Sequence, residues 1–136
     1  LFRPPYGDYN NQVVEMADSM GYYPIQWDVD SLDWKDYGAD SIVDTILNHK
    51  ALGDGAIILM HNGAKYTKDA LERVITGLQD KGYEIVPISQ LIYTGQYRAP
   101  IQRRINWIFT SKCIILFTEY ITHLQNFLDN NLETIL

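Results

Sequence analysis

The run AIILMH at residues 56–61 restricts this chain more than any other feature. A strand with one wet face alternates apolar and polar side chains. An unbroken apolar run of this length, bounded by the turns LGDG and NG, is a strand buried on both faces. Such strands belong to parallel sheets whose two faces are covered by helices. The neighbouring segments supply those helices. Asn10 caps one carrying Val13, Val14, Ala17 and Met20 on a single face, with Gly21 as its stop. Asp40 or Ser41 caps a second with Ile42, Val43, Ile46 and Leu47. Thr67 caps a third with Leu71, Val74, Ile75 and Leu78 inward and Gly82 at its close. Between them, YYPIQWDV and YEIVPI read as further strands, the extended opening LFR as a first, and Ser89 begins a short last turn.

Alternating units of this kind give an α/β fold with about four parallel strands. A closed (β/α) barrel takes about eight strands and ~250 residues. The expected architecture is therefore part of a distorted barrel. The opening decapeptide LFRPPYGDYN fits that expectation. Pro4 and Pro5 keep it extended, Gly7 permits a sharp turn, and the chain starts as if cut within an element.

Beyond Arg98 the character changes. Residues 98–136 contain no glycine, are rich in Ile, Asn, Thr and Phe, and have weak helical periodicity. A membrane span takes about 20 apolar residues; Lys112 and Glu119 interrupt the best window here. A mostly helical or disordered tail is expected, with an amphipathic or docking helix preferred over a membrane anchor as its role. A tail unrelated to the fold stays open. The two expected units are 1–97 and 98–136.

Charge narrows the partners. Through residue 100 there are 8 Lys and Arg against 14 Asp and Glu, and the whole chain carries −6. Nucleic-acid binding needs clustered cations, so no nucleic-acid partner is expected. Ten tyrosines and three tryptophans suit sugar or peptide contacts, although core packing is their commoner use. A single cysteine, Cys113, excludes an intrachain disulfide and a cysteine-based zinc site.

Three polar groups share one address. Arg3 ends the first strand, Asp28, Asp30 and Asp33 follow the second, and His61 ends the third. Parallel α/β folds bind ligands at the carboxyl ends of their strands. Strand alternation puts Asp28 and Asp30 on one face, with Trp27 and Val29 on the other. An isolated acidic cluster is by default a solvated loop, and an isolated histidine a structural one. Here an EF-hand is excluded, because Asp33 and Ala39 stand where such a loop needs Gly and Glu. An arginine, an acidic cluster and a histidine at successive strand ends favour chemistry, since Asp–His pairing sets a histidine's orientation and charge. His49 and His123 fall on helix surfaces, where the structural reading holds.

The motifs then resemble a known family. FRPPYG is similar to the Arg-x-Pro-aromatic-Gly motif of the polysaccharide deacetylases, carbohydrate esterase family 4 with the NodB homology domain. DSLDW resembles the family's Asp-x-x-Asp-Trp motif, and ILMH its Leu-x-His motif. Order and spacing agree from Leu1 to about Tyr93, most closely in the manner of Gram-positive peptidoglycan deacetylases. The resemblance implies that residues 1–97 are the C-terminal half of such a domain. It implies metal-dependent hydrolysis, usually with zinc, of the N-acetyl groups of a cell-wall polysaccharide, at an extracellular or cell-envelope location. It further implies that His61 is the general acid, that Asp33 holds and charge-tunes it, and that Arg3 orients the base. The Tyr6 backbone N–H would bind the oxyanion, and Asp30, Trp34 and Leu59 would touch substrate. The family's Asp-Asp and His-x-x-x-His motifs, which supply base and metal ligands, occur nowhere in the chain. No metal ligand is therefore assigned here, and the missing N-terminal half becomes an expected partner. Three readings stay open: an enzyme fragment, a carbohydrate-binding or regulatory remnant, and a glycosidase-like site of two aspartates in which the Arg-Pro-Pro loop has no role.

Overall fold

The computed structural model describes residues 1–91 and the strand at 113–117. In chain order the elements are α1 (Asn11–Ser19), β1 (Val29–Asp30), α2 (Ala39–Leu47), β2 (Ile57–Leu59), α3 (Thr67–Asp80), β3 (Glu84–Ile85), α4 (Ile88–Leu91) and β4 (Cys113–Phe117). The described strands form a row in the order β1-β2-β4-β3, parallel throughout. The α/β reading therefore stands.

The core forms where the apolar periodicities meet. Val29, Ile58 and Met60 of the strand segments pack with Ile42 and Ile46 of α2 and with Ala70, Val74, Ile75 and Leu78 of α3. Ile57 points the other way and joins Ile25, Trp27 and Val86 in a second cluster. The run at 56–60 is buried throughout, as a strand covered on both faces must be. Each fully buried Ile, Leu or Val contributes about 1.5–3 kcal/mol relative to exposure. Helix α3 presses close to α2: a Cβ on Gly77 would stand 2.5 Å from Leu47 Cδ1.

Several expectations are corrected. The opening strand is reduced to a single parallel bridge, Phe2 to Pro24, framed by Phe2 N–H to Tyr23 O at 2.9 Å and Ile25 N–H to Phe2 O at 2.8 Å. Pro4, Pro5 and Pro24 have no N–H to extend that ladder. For the same reason YYPIQWDV shortens to the bridge and the two-residue β1. Asn10 does cap α1, accepting the Val13 N–H at 2.9 Å. Neither Asp40 nor Ser41 caps α2; its N-cap is Gly38, at φ 101°. Thr67 is the first residue of α3 and not its cap, because its hydroxyl is used elsewhere. Met20 is 65% exposed and leaves the face assigned to it.

Of the tail, residues 113–117 are described, and there a strand stands in place of the expected helix or disorder. Residues 113–117, CIILF, pair in parallel with β2 on one side and β3 on the other. The β-branched Ile114 and Ile115 favour that state. The amphipathic helix, the membrane anchor and His123 otherwise lie outside the described residues. Among the described residues no helix is long and apolar enough to cross a membrane.

Candidate active site

The loop after Arg3 is the first wall. Pro4 and Pro5 lead into a one-turn 3-10 helix in which Gly7 N–H reaches Pro4 O and Asp8 N–H reaches Pro5 O, both at 3.1 Å. Tyr6 sits in the left-handed region at φ 57°, ψ 9°, and Gly7 follows at φ 74°. A non-glycine residue there is strained and persists only where its surroundings hold it. They do so from below: Gln26 Nε2 donates to Gly7 O at 2.9 Å. A Cβ on Gly7 would lie 2.6 Å from the Trp27 ring, so the loop approaches that ring as only glycine allows. The two turn bonds use the amides of Gly7 and Asp8 and leave the Tyr6 N–H out.

The second wall follows β1. Asp30 Oδ1 accepts the Leu32 N–H at 2.9 Å and turns the chain. A 3-10 turn, Asp33–Lys35, comes next, with left-handed Leu32 (φ 56°) before it and Asp36 (φ 57°) after it. This turn sends Asp33 inward and Trp34 outward: Asp33 is 1% exposed and Trp34 56%.

The third wall is the end of β2. His61 leaves the sheet there and meets Asp33 from across 28 residues. Asp33 Oδ1 lies 2.7 Å from His61 Nδ1, and Oδ2 accepts the His61 backbone N–H at 2.6 Å. The Thr67 hydroxyl, at the start of α3, donates to Oδ2 at 2.7 Å. Asp33 N–H in turn reaches Ser31 Oγ at 3.3 Å. The buried carboxylate thus has donors on both oxygens, as burial of such a group requires. A carboxylate only accepts, so Nδ1 carries the hydrogen and Nε2 is the nitrogen left for chemistry.

Arg3, Tyr6, Asp30, Trp34, Leu59 and His61 together line one cavity of about 760 Å³. That size suits a small-molecule or sugar site. Six residues singled out from sequence are thereby brought together, with Asp33 directly behind His61. Asp28 is not among the lining residues. Its Oδ2 accepts the Ile57 N–H at 3.0 Å and ties β1 to β2. Trp27, expected on the opposite face from Asp30, lines the cavity beside it. β1 holds only two residues, so alternation does not extend back to Trp27. Thr67 was missed as a site residue because a threonine ahead of an apolar helix reads as a cap.

Three ligands are what a catalytic zinc site draws from protein. Among the described residues no three His, Cys, Asp or Glu side chains stand together in that way. Among the described residues His61 is the one imidazole lining the cavity, and its Nδ1 is held by Asp33. The described residues do not fit a metal centre of their own.

No family model matches the sequence. The chain is 42% identical over 91 residues to the peptidoglycan-N-acetylmuramic acid deacetylase PdaC of Bacillus subtilis, covering 67% of this chain and 18% of that protein. It is 43% identical over 89 residues to the peptidoglycan-N-acetylglucosamine deacetylase PgdA of Listeria monocytogenes, covering 65% and 18%. Among solved structures it is similar to a pseudoenzyme of carbohydrate esterase family 4 from Bacillus anthracis, with a TM-score of 0.61, 36% identity and coverage of 66% of this chain and 31% of that one. The chain thus spans about a fifth of the length of these two curated relatives.

Proposed function

We infer that this chain carries the acid side of a polysaccharide deacetylase domain of carbohydrate esterase family 4, acting on the N-acetyl groups of a cell-wall glycan such as peptidoglycan. The observation that supports it most is the Asp33–His61 pair at the rim of a cavity lined by Arg3, Asp30, Trp34 and Leu59. In this reading an activated water attacks the acetamide carbonyl carbon and the carbon–nitrogen bond then breaks. Doubly protonated His61 gives its Nε2 proton to the leaving amine, and acetate is the other product. Asp33 keeps the ring turned so that Nε2 meets the leaving nitrogen. The Tyr6 N–H donates to the developing oxyanion, Arg3 orients the base, and Trp34 and Leu59 enclose the acetyl methyl. The divalent metal, zinc in this proposal, and the base come from residues outside this chain, so the 136 residues alone are inactive. An extracellular or envelope location follows from the substrate.

A second reading is a carbohydrate-binding remnant of the same fold. It is supported by the similarity to a family pseudoenzyme and by the lack of a three-ligand set among the described residues. One experiment separates the two. The chain is joined to an N-terminal half carrying the family's Asp-Asp and His-x-x-x-His motifs, loaded with zinc, and assayed for acetate release from an N-acetylglucosamine tetramer. Release supports the catalytic reading. A folded, zinc-loaded chimera that binds the tetramer without releasing acetate supports the remnant.

A further inference from the structure

We propose that Trp34, Lys35 and Tyr37 form a rim subsite beside the cavity that reads a carboxylate on the glycan. This deepens the glycan reading above and rests on it. The turn that buries Asp33 has left-handed, non-glycine residues on both sides, Leu32 and Asp36. That strained geometry turns the next side chains to solvent. Trp34 is 56% and Tyr37 67% exposed, and Trp34 also walls the cavity. The Lys35 ammonium lies 5.0 Å from the Trp34 ring centre and 5.9 Å from that of Tyr37. Ring faces hold a cation at such distances without neutralising it.

Among the described residues no carboxylate forms an ion pair with Lys35. Asp36 also faces Lys65, whose ammonium is held above its usual range chiefly by Tyr66, with Asp36 as a smaller cause. In a chain of net charge −6, a cation held against two exposed rings, one of which walls a sugar-sized cavity, is a selective feature. The rings offer stacking faces to a neighbouring sugar, and the ammonium offers a partner for an anionic substituent on it. Two sources have this chemistry: the lactyl carboxylate of muramic acid, and the carboxylates of a peptide attached to it.

The test titrates the 136-residue chain with three probes, followed by the tryptophan indole signals in NMR. The probes are a neutral N-acetylglucosamine tetramer, the N-acetylglucosamine–muramic acid disaccharide with a free lactyl group, and that disaccharide bearing its peptide. Lys35→Gln is expected to weaken binding of a carboxylated probe by about two- to fivefold, the range of an exposed charge pair. It leaves the neutral tetramer unchanged. Lys35→Arg retains the preference, and about 0.5 M salt removes it. Whichever carboxylated probe responds identifies the source. Equal loss for all three probes, or no loss for any, overturns the subsite while leaving the glycan reading intact. Failure of all three to bind the unaltered chain overturns the glycan reading and this inference together.

Discussion

Asp33 grips His61 at two points: one carboxylate oxygen takes the backbone N–H at 2.6 Å and the other meets ring Nδ1 at 2.7 Å. The first bond fixes where the residue leaves β2, and the second fixes which way its ring faces. A side chain held only at its ring could swing with the loop. This one cannot move without breaking both contacts of a buried carboxylate.

The stability consequence is direct. Asp33→Ala leaves the buried Thr67 hydroxyl and the His61 amide without their acceptor. An unsatisfied buried group costs about 1–3 kcal/mol. A loss of about 2–4 kcal/mol is expected for Asp33→Ala and about 1 kcal/mol for Thr67→Val. The double variant should lose less than the sum of the two, because both remove the same bond. Urea denaturation of the three variants measures this; strict additivity would mean that Thr67 does not act through Asp33.

The chemical consequence concerns His61. In a zinc-loaded chimera that releases acetate, His61→Ala should lower the rate by about 10²–10⁴, the usual worth of a general acid. Its metal content and its affinity for the tetramer should stay the same, since His61 donates a proton and holds no metal in this proposal. Metal loss on His61→Ala would show that the residue is a ligand.

Gly7 and Gly77 give contrasting predictions. Gly7→Ala must place a Cβ 2.6 Å from the rigid Trp27 ring while remaining at φ 74°. Left-handed backbone costs an L-residue about 1–2 kcal/mol, and overpacking adds about 1–3; a total of about 2–4 kcal/mol is expected, with altered Trp27 fluorescence. Gly77→Ala meets only the tip of the Leu47 side chain, in a helix that favours alanine by about 1 kcal/mol. It should be close to neutral. Thermal melts of both compare the two sites; equal losses would mean that Leu47 has no room to turn.

Removing residues 98–136 takes away β4 and leaves facing edges of β2 and β3 unpaired. Open parallel edges recruit other chains. The truncated protein should associate, and the amides of Ile57–Leu59 should exchange with solvent faster than in the full chain. Sedimentation and hydrogen exchange follow the two effects. A monodisperse truncation with unchanged protection would show that the sheet does not depend on β4.

Features under local control were legible in the sequence. Apolar spacing located α1, α2 and α3, the unbroken run at 56–60 located the buried central strand, and prolines and Gly7 marked a rigid turn after Arg3. Strand ends then marked Arg3, Asp28, Asp30, Asp33 and His61 as neighbours, and the motif resemblance added Tyr6, Trp34 and Leu59. Tertiary structure alone decided the rest. Thr67 reads as a cap until Asp33, 34 residues away, is brought against its hydroxyl. Asp28 and Asp30 look alike in sequence, yet one ties β1 to β2 and the other faces the cavity, because β1 is only two residues long. Trp27 reaches the cavity for the same reason. A tail without clear periodicity supplies a strand because β2 and β3 present open edges on either side of it. Partners of this kind are set by which elements meet in space. Local propensity, which acts over a few residues, carries no record of that meeting.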